Sequence, residues 1–182
     1  MKILIVVDMQ RDFIDGVLGT PEAQAIVPNV AKKVKEYADN DNIIIYTRDT
    51  HYNDYLDTME GKKLPVPHCI KNTDGWNIAN AVNIVYDRAF VVDKPNFGYA
   101  RWEKDIDNFI ISIYEKFVSI DSIELVGLCT DICVISNAMI LKALYPETQI
   151  IVDASCCAGV NPQSHTNALE AMKMCQIDVI GA

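Results

Sequence analysis

Residues 3–8 read Ile3-Leu4-Ile5-Val6-Val7-Asp8: five apolar side chains without a break, then a carboxylate. A strand with one wet face would alternate. An unbroken run of this length predicts a strand covered on both faces, as the strands of parallel sheets are. Working outward, the pattern returns. Ile43 to Tyr46 closes on Thr47, Arg48 and Asp49, and Ala89 to Val92 closes on Asp93, Lys94 and Pro95. Ile123 to Val126 closes on Gly127, Gln149 to Val152 closes on Asp153, and Ile177 to Ile180 comes last. Between these runs apolar residues recur at helical spacing over 23–38, 106–117, 130–144 and 164–174. Strand and helix in alternation predict an α/β fold: three layers, α/β/α, around a six-stranded, mainly parallel sheet.

The length of 182 residues suits one domain over 1–182. Residues 50–87 interrupt the alternation with Gly61, Pro65, Pro67 and Gly75 and little periodicity. An insertion this long in a compact domain is usually functional, and a metal-binding, lid-like role is expected for it. The net charge of -9, from 16 basic and 25 acidic side chains, argues against a nucleic-acid partner and against docking on anionic lipid. No apolar run approaches the roughly 20 residues of a membrane span, and no export signal precedes Asp8, so a cytoplasmic location is expected. The six cysteines are then expected as reduced thiols, most of them small buried hydrophobes.

In doubly wound sheets ligands bind beyond the carboxyl ends of the strands, where this chain places its polar residues. Gly127-Leu128-Cys129-Thr130-Asp131-Ile132-Cys133 leaves a strand and opens a helix. Thr130 or Asp131 is a natural N-cap, and Cys133 in the first turn would meet amide protons that favour a thiolate. A buried structural cysteine is the ordinary alternative. Asp8 and Lys94 end two other strands on the same rim: a carboxylate that can take a thiol proton and an amine that would lower the thiol pKa. Taken singly, each has a plainer reading, as a turn cap and a surface ion pair. Asp49, His51 and His68 offer a mixed oxygen–nitrogen cation site, with Glu60 or Asp54 as a further ligand. His165, at the start of the last helix, reads as a capping or packing residue, and Phe13, Phe97, Tyr99 and Trp102 can wall a flat pocket.

Taken together, D-M-Q-x-D-F from Asp8, T-D-x-C-V from Thr130 to Val134, D-x-H at Asp49 and P-x-P-H-C at Pro65 to Cys69 resemble the isochorismatase-like cysteine hydrolases, and among them the nicotinamidase branch. The resemblance runs from Val7 to Ile177. It implies a triad of Asp8, Lys94 and Cys133, a cis peptide before Cys129, and an oxyanion hole from the amides of Cys129 and Cys133. It implies one divalent ion on Asp49, His51 and His68, with Glu60 matching the place of a further ligand in some members. The oxygen and imidazole donors suit zinc first and iron or manganese next, and Phe13 and Phe97 are the aromatics expected against the substrate. The substrate implied is nicotinamide, a small-molecule amide, hydrolysed through a thioester on Cys133 as in NAD salvage, by a homo-oligomer. Pro65 stands where many of the branch carry tryptophan. Rival expectations are a family amidase acting on a ureido or carbamoyl compound, a phospho-receiver signalling domain using Asp8, Asp49 and Lys94, and a redox sensor pairing Cys129 with Cys133.

Overall fold

The structure is a computed structural model and describes residues 1–85 and 89–182. Among the described residues six strands form the sheet: β1 Lys2–Val7, β2 Ile43–Asp49, β3 Phe90–Lys94, β4 Ser122–Leu128, β5 Gln149–Ala158 and β6 Asp178–Ile180. All pairings are parallel and the order is β3-β2-β1-β4-β5-β6. The chain winds outward from β1 in one direction, then restarts at β4 and winds in the other. The switch point lies between β1 and β4, paired from Lys2↔Ser122 to Val7↔Gly127. A crevice opens there beyond the strand ends.

The unbroken apolar run is explained by two cores. Ile3, Ile5 and Val7 face one layer with Ile123, Leu125, Trp102, Ile106 and Leu141; Leu4 and Val6 face the other with Ile26, Val30 and Val34. The five apolar side chains of β1, Ile3 to Val7, are fully buried, and each contributes about 1.5–3 kcal/mol by leaving water. The first layer holds α4 (Trp102–Tyr114), α5 (Ile135–Leu144) and α6 (Pro162–Met174). The second holds α2 (Pro21–Asp39), capped by Thr20 Oγ1 on the Ala23 amide, with α1 (Arg11–Ile14) beside it. The close β1–β4 approach needs Gly127, whose φ is +117° and whose added Cβ would lie 2.1 Å from the Val7 oxygen.

Some boundaries differ from the sequence reading. The helix expected over 106–117 begins at Trp102, where Glu103 and Asp105 complement the positive end, and stops at Tyr114 because Glu115 turns left-handed (φ 56°). Phe117 is left exposed beyond it. The strand expected over 149–152 runs on to Ala158: between Leu125↔Val152 and Gly127↔Cys157 the register shifts, and polar residues ride in the irregularity. Residues 130–134 form a π-helical turn before α5. Cys175 is exposed at the end of α6, whereas Cys69, Cys133, Cys156 and Cys157 are buried, and all six thiols are free.

The 50–87 stretch carries a 3-10 turn, Tyr55–Asp57, and α3, Met59–Lys63, capped by Thr58 Oγ1 on the Gly61 amide. It is tied down by single bridges, His51↔Ile70 and Gln10↔Ile78, and by burial of Trp76, Ile78 and Val82. Residues 86 and 87 of that stretch lie outside the described residues. Among the described residues no helix is long and apolar enough to cross a membrane.

Candidate active site and cation cluster

Asp8 is the first residue past β1. Its φ of 47° turns the chain sharply, and its carboxylate is fixed by Thr47 Oγ1, which donates to Oδ1 at 2.6 Å. Lys94, the last residue of β3, is fully buried and sets its Nζ 2.6 Å from Asp8 Oδ2 and 3.5 Å from Cys133 Sγ. Asp49, the last residue of β2 and the partner of Lys94 in the sheet register, lies 3.6 Å from the same amine. Three strand ends and the turn after a fourth therefore converge on one ammonium.

The protonation states follow from burial. Removal from water raises the Asp8 carboxyl above its ordinary 3.8; Lys94 opposes the rise and Asp49 adds to it. Burial and the Asp8 charge push the Cys133 thiol well above its usual value, and Lys94 recovers only part of that. Burial would lower the Lys94 pKa, but Asp8 foremost holds it above the usual lysine range, so the amine stays charged. The expected lowering by Lys94 is present but outweighed: two carboxylates nearby and loss of hydration prevail over one amine. The thiol rests protonated, next to a carboxylate whose raised pKa makes it a better proton acceptor.

The expected N-caps are also corrected. Cys129, not Thr130 or Asp131, precedes the π-turn, and no side chain caps it. Thr130 Oγ1 is 2.8 Å from His165 Nδ1, and the Asp131 carboxylate accepts from the Val160 amide. Both side chains tie the nucleophile turn to the start of α6, and His165 is a packing partner of that turn. The Leu128–Cys129 peptide is cis.

Four of the expected ligands form one cluster. One donor atom from each of Asp49, His51, Glu60 and His68 lies within 4.8 Å of the others. His51 Nε2 stands 3.0 Å from Asp49 Oδ2 and 3.5 Å from Glu60 Oε1; His68 Nε2 stands 3.5 and 3.7 Å from the same atoms. Four ligands at roughly 2.1 Å from a central ion sit about 3.4 Å apart, which is close to these separations. His68 Nδ1 is 2.8 Å from the Val66 oxygen, and that contact turns Nε2 inward. His51 Nε2 approaches its carboxylates off the hydrogen-bonding direction and is left without a hydrogen bond, as is Asp49 Oδ1. Against burial, Asp49 and Glu60 push the His51 imidazole up to about 9. Asp8 and Asp49 share one amine, Lys94, while Asp49 and Glu60 crowd the two imidazoles and favour positive charge among them. The residues fit a divalent cation in geometry and in charge. Asp54 is exposed, lies outside the cluster and precedes the 3-10 turn.

A cavity of about 620 Å³ joins the two groups: Cys133 and Cys129 line one part, Asp49, Glu60 and His68 another, with Phe13 and Phe97 among the walls. Tyr99 and Trp102 do not line it; Trp102 is core, with Tyr99 edge-on against it. Sequence reasoning quoted Gln10 and Asp12 as motif letters and gave them no task. Gln10 is buried and clamps Asp49, accepting from its amide at 2.7 Å and donating to its oxygen at 2.9 Å. Asp12 accepts from the Cys69 amide, next to His68. Thr47 and Asn137 were missed as well. A buried polar residue inside an apolar run was the available signal.

Fold and site together define a class: doubly wound α/β proteins with a buried carboxylate–amine–thiol cluster beside a four-donor cation cluster. Family comparison agrees. The sequence profile described as an isochorismatase domain matches residues 2–182, and the chain belongs to that family. It is 26% identical to the nicotinamidase of Saccharomyces cerevisiae, over 99% of both chains. Among solved structures it is similar to the pyrazinamidase/nicotinamidase of Streptococcus mutans (29% identity, TM-score 0.80, 99% of this chain and 100% of that one). It is also similar to the pyrazinamidase of Pyrococcus horikoshii in complex with zinc (26%, TM-score 0.77, 100% and 99%).

Proposed function

We propose that this protein is a metal-dependent cysteine amidohydrolase that converts nicotinamide to nicotinate and ammonia. The observation that carries the reading is the shared cavity, lined by Cys133 at one part and by Asp49, Glu60 and His68 at another, with Lys94 and Asp8 buried beside the thiol and His51 completing the cation cluster. Asp8 accepts the Cys133 proton as the sulfur attacks the carboxamide carbon. The amides of Cys129 and Cys133 receive the oxyanion. Asp8 returns the proton to the leaving nitrogen, ammonia departs, and a thioester on Cys133 remains. Asp8 then takes a proton from water, which attacks the thioester; nicotinate leaves and the thiol is restored. Lys94 remains charged throughout, opposite Asp8 while that group is a carboxylate and beside the sulfur when the proton has moved.

When bound on Asp49, His51, His68 and Glu60, a divalent ion supplies a Lewis-acid point that can take a ring nitrogen and so orient the substrate. Zinc heads the order, supported by the donor set and by the zinc complex of the Pyrococcus relative, with iron and manganese next. Phe13 and Phe97 flank the ring. The 50–87 segment, which brings Glu60 and His68, serves as the metal-binding and lid-like part of a single domain.

Of the rivals, a phospho-receiver fold has strand order 2-1-3-4-5, unlike the order here, and gives Cys133 and His68 no task. An amidase for ureido or carbamoyl compounds would not need a ring nitrogen at a cation. The deciding measurement is ammonia release from nicotinamide, pyrazinamide and linear amides, with and without a chelator. Turnover of the two ring amides that is lost on chelation and restored by zinc supports the reading. Chelator-resistant turnover of linear amides alone overturns it.

A further inference from the structure

Asn137 is the third residue of α5 and is fully buried. A side-chain amide has two acceptor lone pairs and two donor hydrogens. Here all four are used. Oδ1 accepts from the Tyr99 amide at 2.9 Å and from the Trp102 indole at 2.9 Å. Nδ2 donates to the Phe97 oxygen at 3.0 Å and to the Cys133 oxygen at 2.8 Å. The partners come from three places: the loop after β3 that carries the aromatic wall, the first turn of α4, and the π-turn that carries the nucleophile. Two pure donors on one side and two carbonyls on the other leave only one orientation for the amide.

The same loop is held from its other end, since Lys94 Nζ donates to the Asn96 oxygen at 3.2 Å. Gly98 lies against α5, where an added Cβ would meet Ile140 at 2.5 Å. Phe97 itself is 44% exposed and has little packing to fix it. Its backbone bond to Asn137 is therefore a main restraint on the wall.

We propose that Asn137 is a positioning residue: through one amide group it locks the Phe97 wall to the Cys133 turn, so that substrate ring and sulfur are held at a fixed separation. The inference rests on Cys133 being the nucleophile. Misplacement of reacting atoms by about 1 Å costs roughly 100-fold in rate, so a lock of this kind is felt in kcat.

The test uses the full-length, metal-loaded protein and two readouts: kcat and KM for nicotinamide, and the rate at which iodoacetamide alkylates Cys133, followed by peptide mass. Asn137→Asp keeps both acceptors for Tyr99 and Trp102 but sets oxygen against the carbonyls of Phe97 and Cys133. In the folded variant kcat falls about tenfold or more and the alkylation rate changes by a similar factor. Trp102→Phe removes one donor to Asn137 Oδ1 and leaves the wall-to-sulfur tie intact. It lowers the melting temperature while kcat and alkylation stay within about twofold of wild type. A folded Asn137→Asp protein with wild-type kcat and alkylation overturns the proposal, as does a Trp102→Phe protein with the same losses.

If Asn137→Asp fails to fold, Asn137→Thr decides. A helical threonine hydroxyl can bond the carbonyl four residues back, here Cys133, but has no second donor for Phe97. The expected result is kcat lowered about tenfold or more, whatever the change in KM; kcat within about twofold of wild type overturns the proposal. A wild-type protein that leaves nicotinamide intact sinks the functional reading instead, and the alkylation rates still judge Asn137.

Discussion

The cluster of Lys33, Glu124 and Asp153 and the cluster of Lys94, Asp8 and Asp49 use the same ingredients, one amine between two buried carboxylates, though Lys33 is partly exposed and Lys94 fully buried. In the first, Lys33 reaches from α2 to Glu124 at 2.7 Å and to Asp153 at 2.9 Å. Tyr37 donates to the other Glu124 oxygen at 2.6 Å, and Ser155 donates to Asp153 from its amide and its hydroxyl. The arrangement closes on itself and fastens the irregular part of β5 to α2. None of its side chains lines the cavity. In the second, Asp8 is held by Thr47 and Lys94, but a third carboxylate and two imidazoles crowd alongside with their donors turned on a common point. The Lys33 and Lys94 pKa values are both raised, in each case against burial and by their carboxylate neighbours. A strongly shifted lysine therefore does not mark a functional site by itself. Convergent donors beside a cavity separate the two.

Five experiments would break or sharpen that contrast. Cys133→Ala should lower ammonia release by roughly 10⁴-fold or more while circular dichroism shows an unchanged fold. Full activity would return the strand-end cluster to the same purely structural status as its counterpart. Stripping the protein with a chelator should cut turnover about 100-fold and lower the melting temperature; an ion at 100 times its Kd stabilises by about 2.7 kcal/mol. Added zinc should reverse both effects. Lys33→Met strands two buried carboxylates and should cost about 3 kcal/mol in urea unfolding, with kcat within about twofold of wild type. A large loss of kcat would show that the closed cluster also serves the reaction.

A milder effect is expected at the half-exposed ligand. Glu60→Gln keeps the shape and removes a charge, so metal affinity by titration calorimetry should weaken about tenfold. The subtlest test is pH. Asp8 works as the carboxylate and its pKa is raised by burial, so activity should fall as pH drops through a value above 3.8. Burial would also raise Asp153, but Ser155 and Lys33 hold it lower, so its stabilising charge is present above 3.8 and lost only as pH falls further. Between the two limits the protein should be folded and inactive, as parallel kcat/KM and circular dichroism profiles would show. Coincident limits would erase the distinction.

The contrast also shows what the sequence makes legible. The strands β1, β2 and β4 are readable because burial on both faces leaves an unbroken apolar signature, and Asp8, Asp49 and Lys94 are readable because they end such runs. The far half of β5 is hidden because Asp153 and Ser155 belong to a register shift that depends on α2 and β4, distant in sequence. The state of the Cys133 thiol is hidden for a similar reason. A helix start near a lysine suggests a thiolate, and only the assembled site shows that burial and two carboxylates prevail. Gln10, Asp12 and Asn137 bond across 35 to 57 residues of chain, beyond the reach of local pattern.

The pairing of Ile3 with Ile123 has a consequence for biosynthesis. Ribosomes add roughly 5–20 residues per second, so the first strand waits about 6–24 s for its inner neighbour to be made. Throughout that interval the most water-averse segment of the nascent polypeptide has only β2 beside it. Chaperone demand for this protein should be set during translation, by that delay.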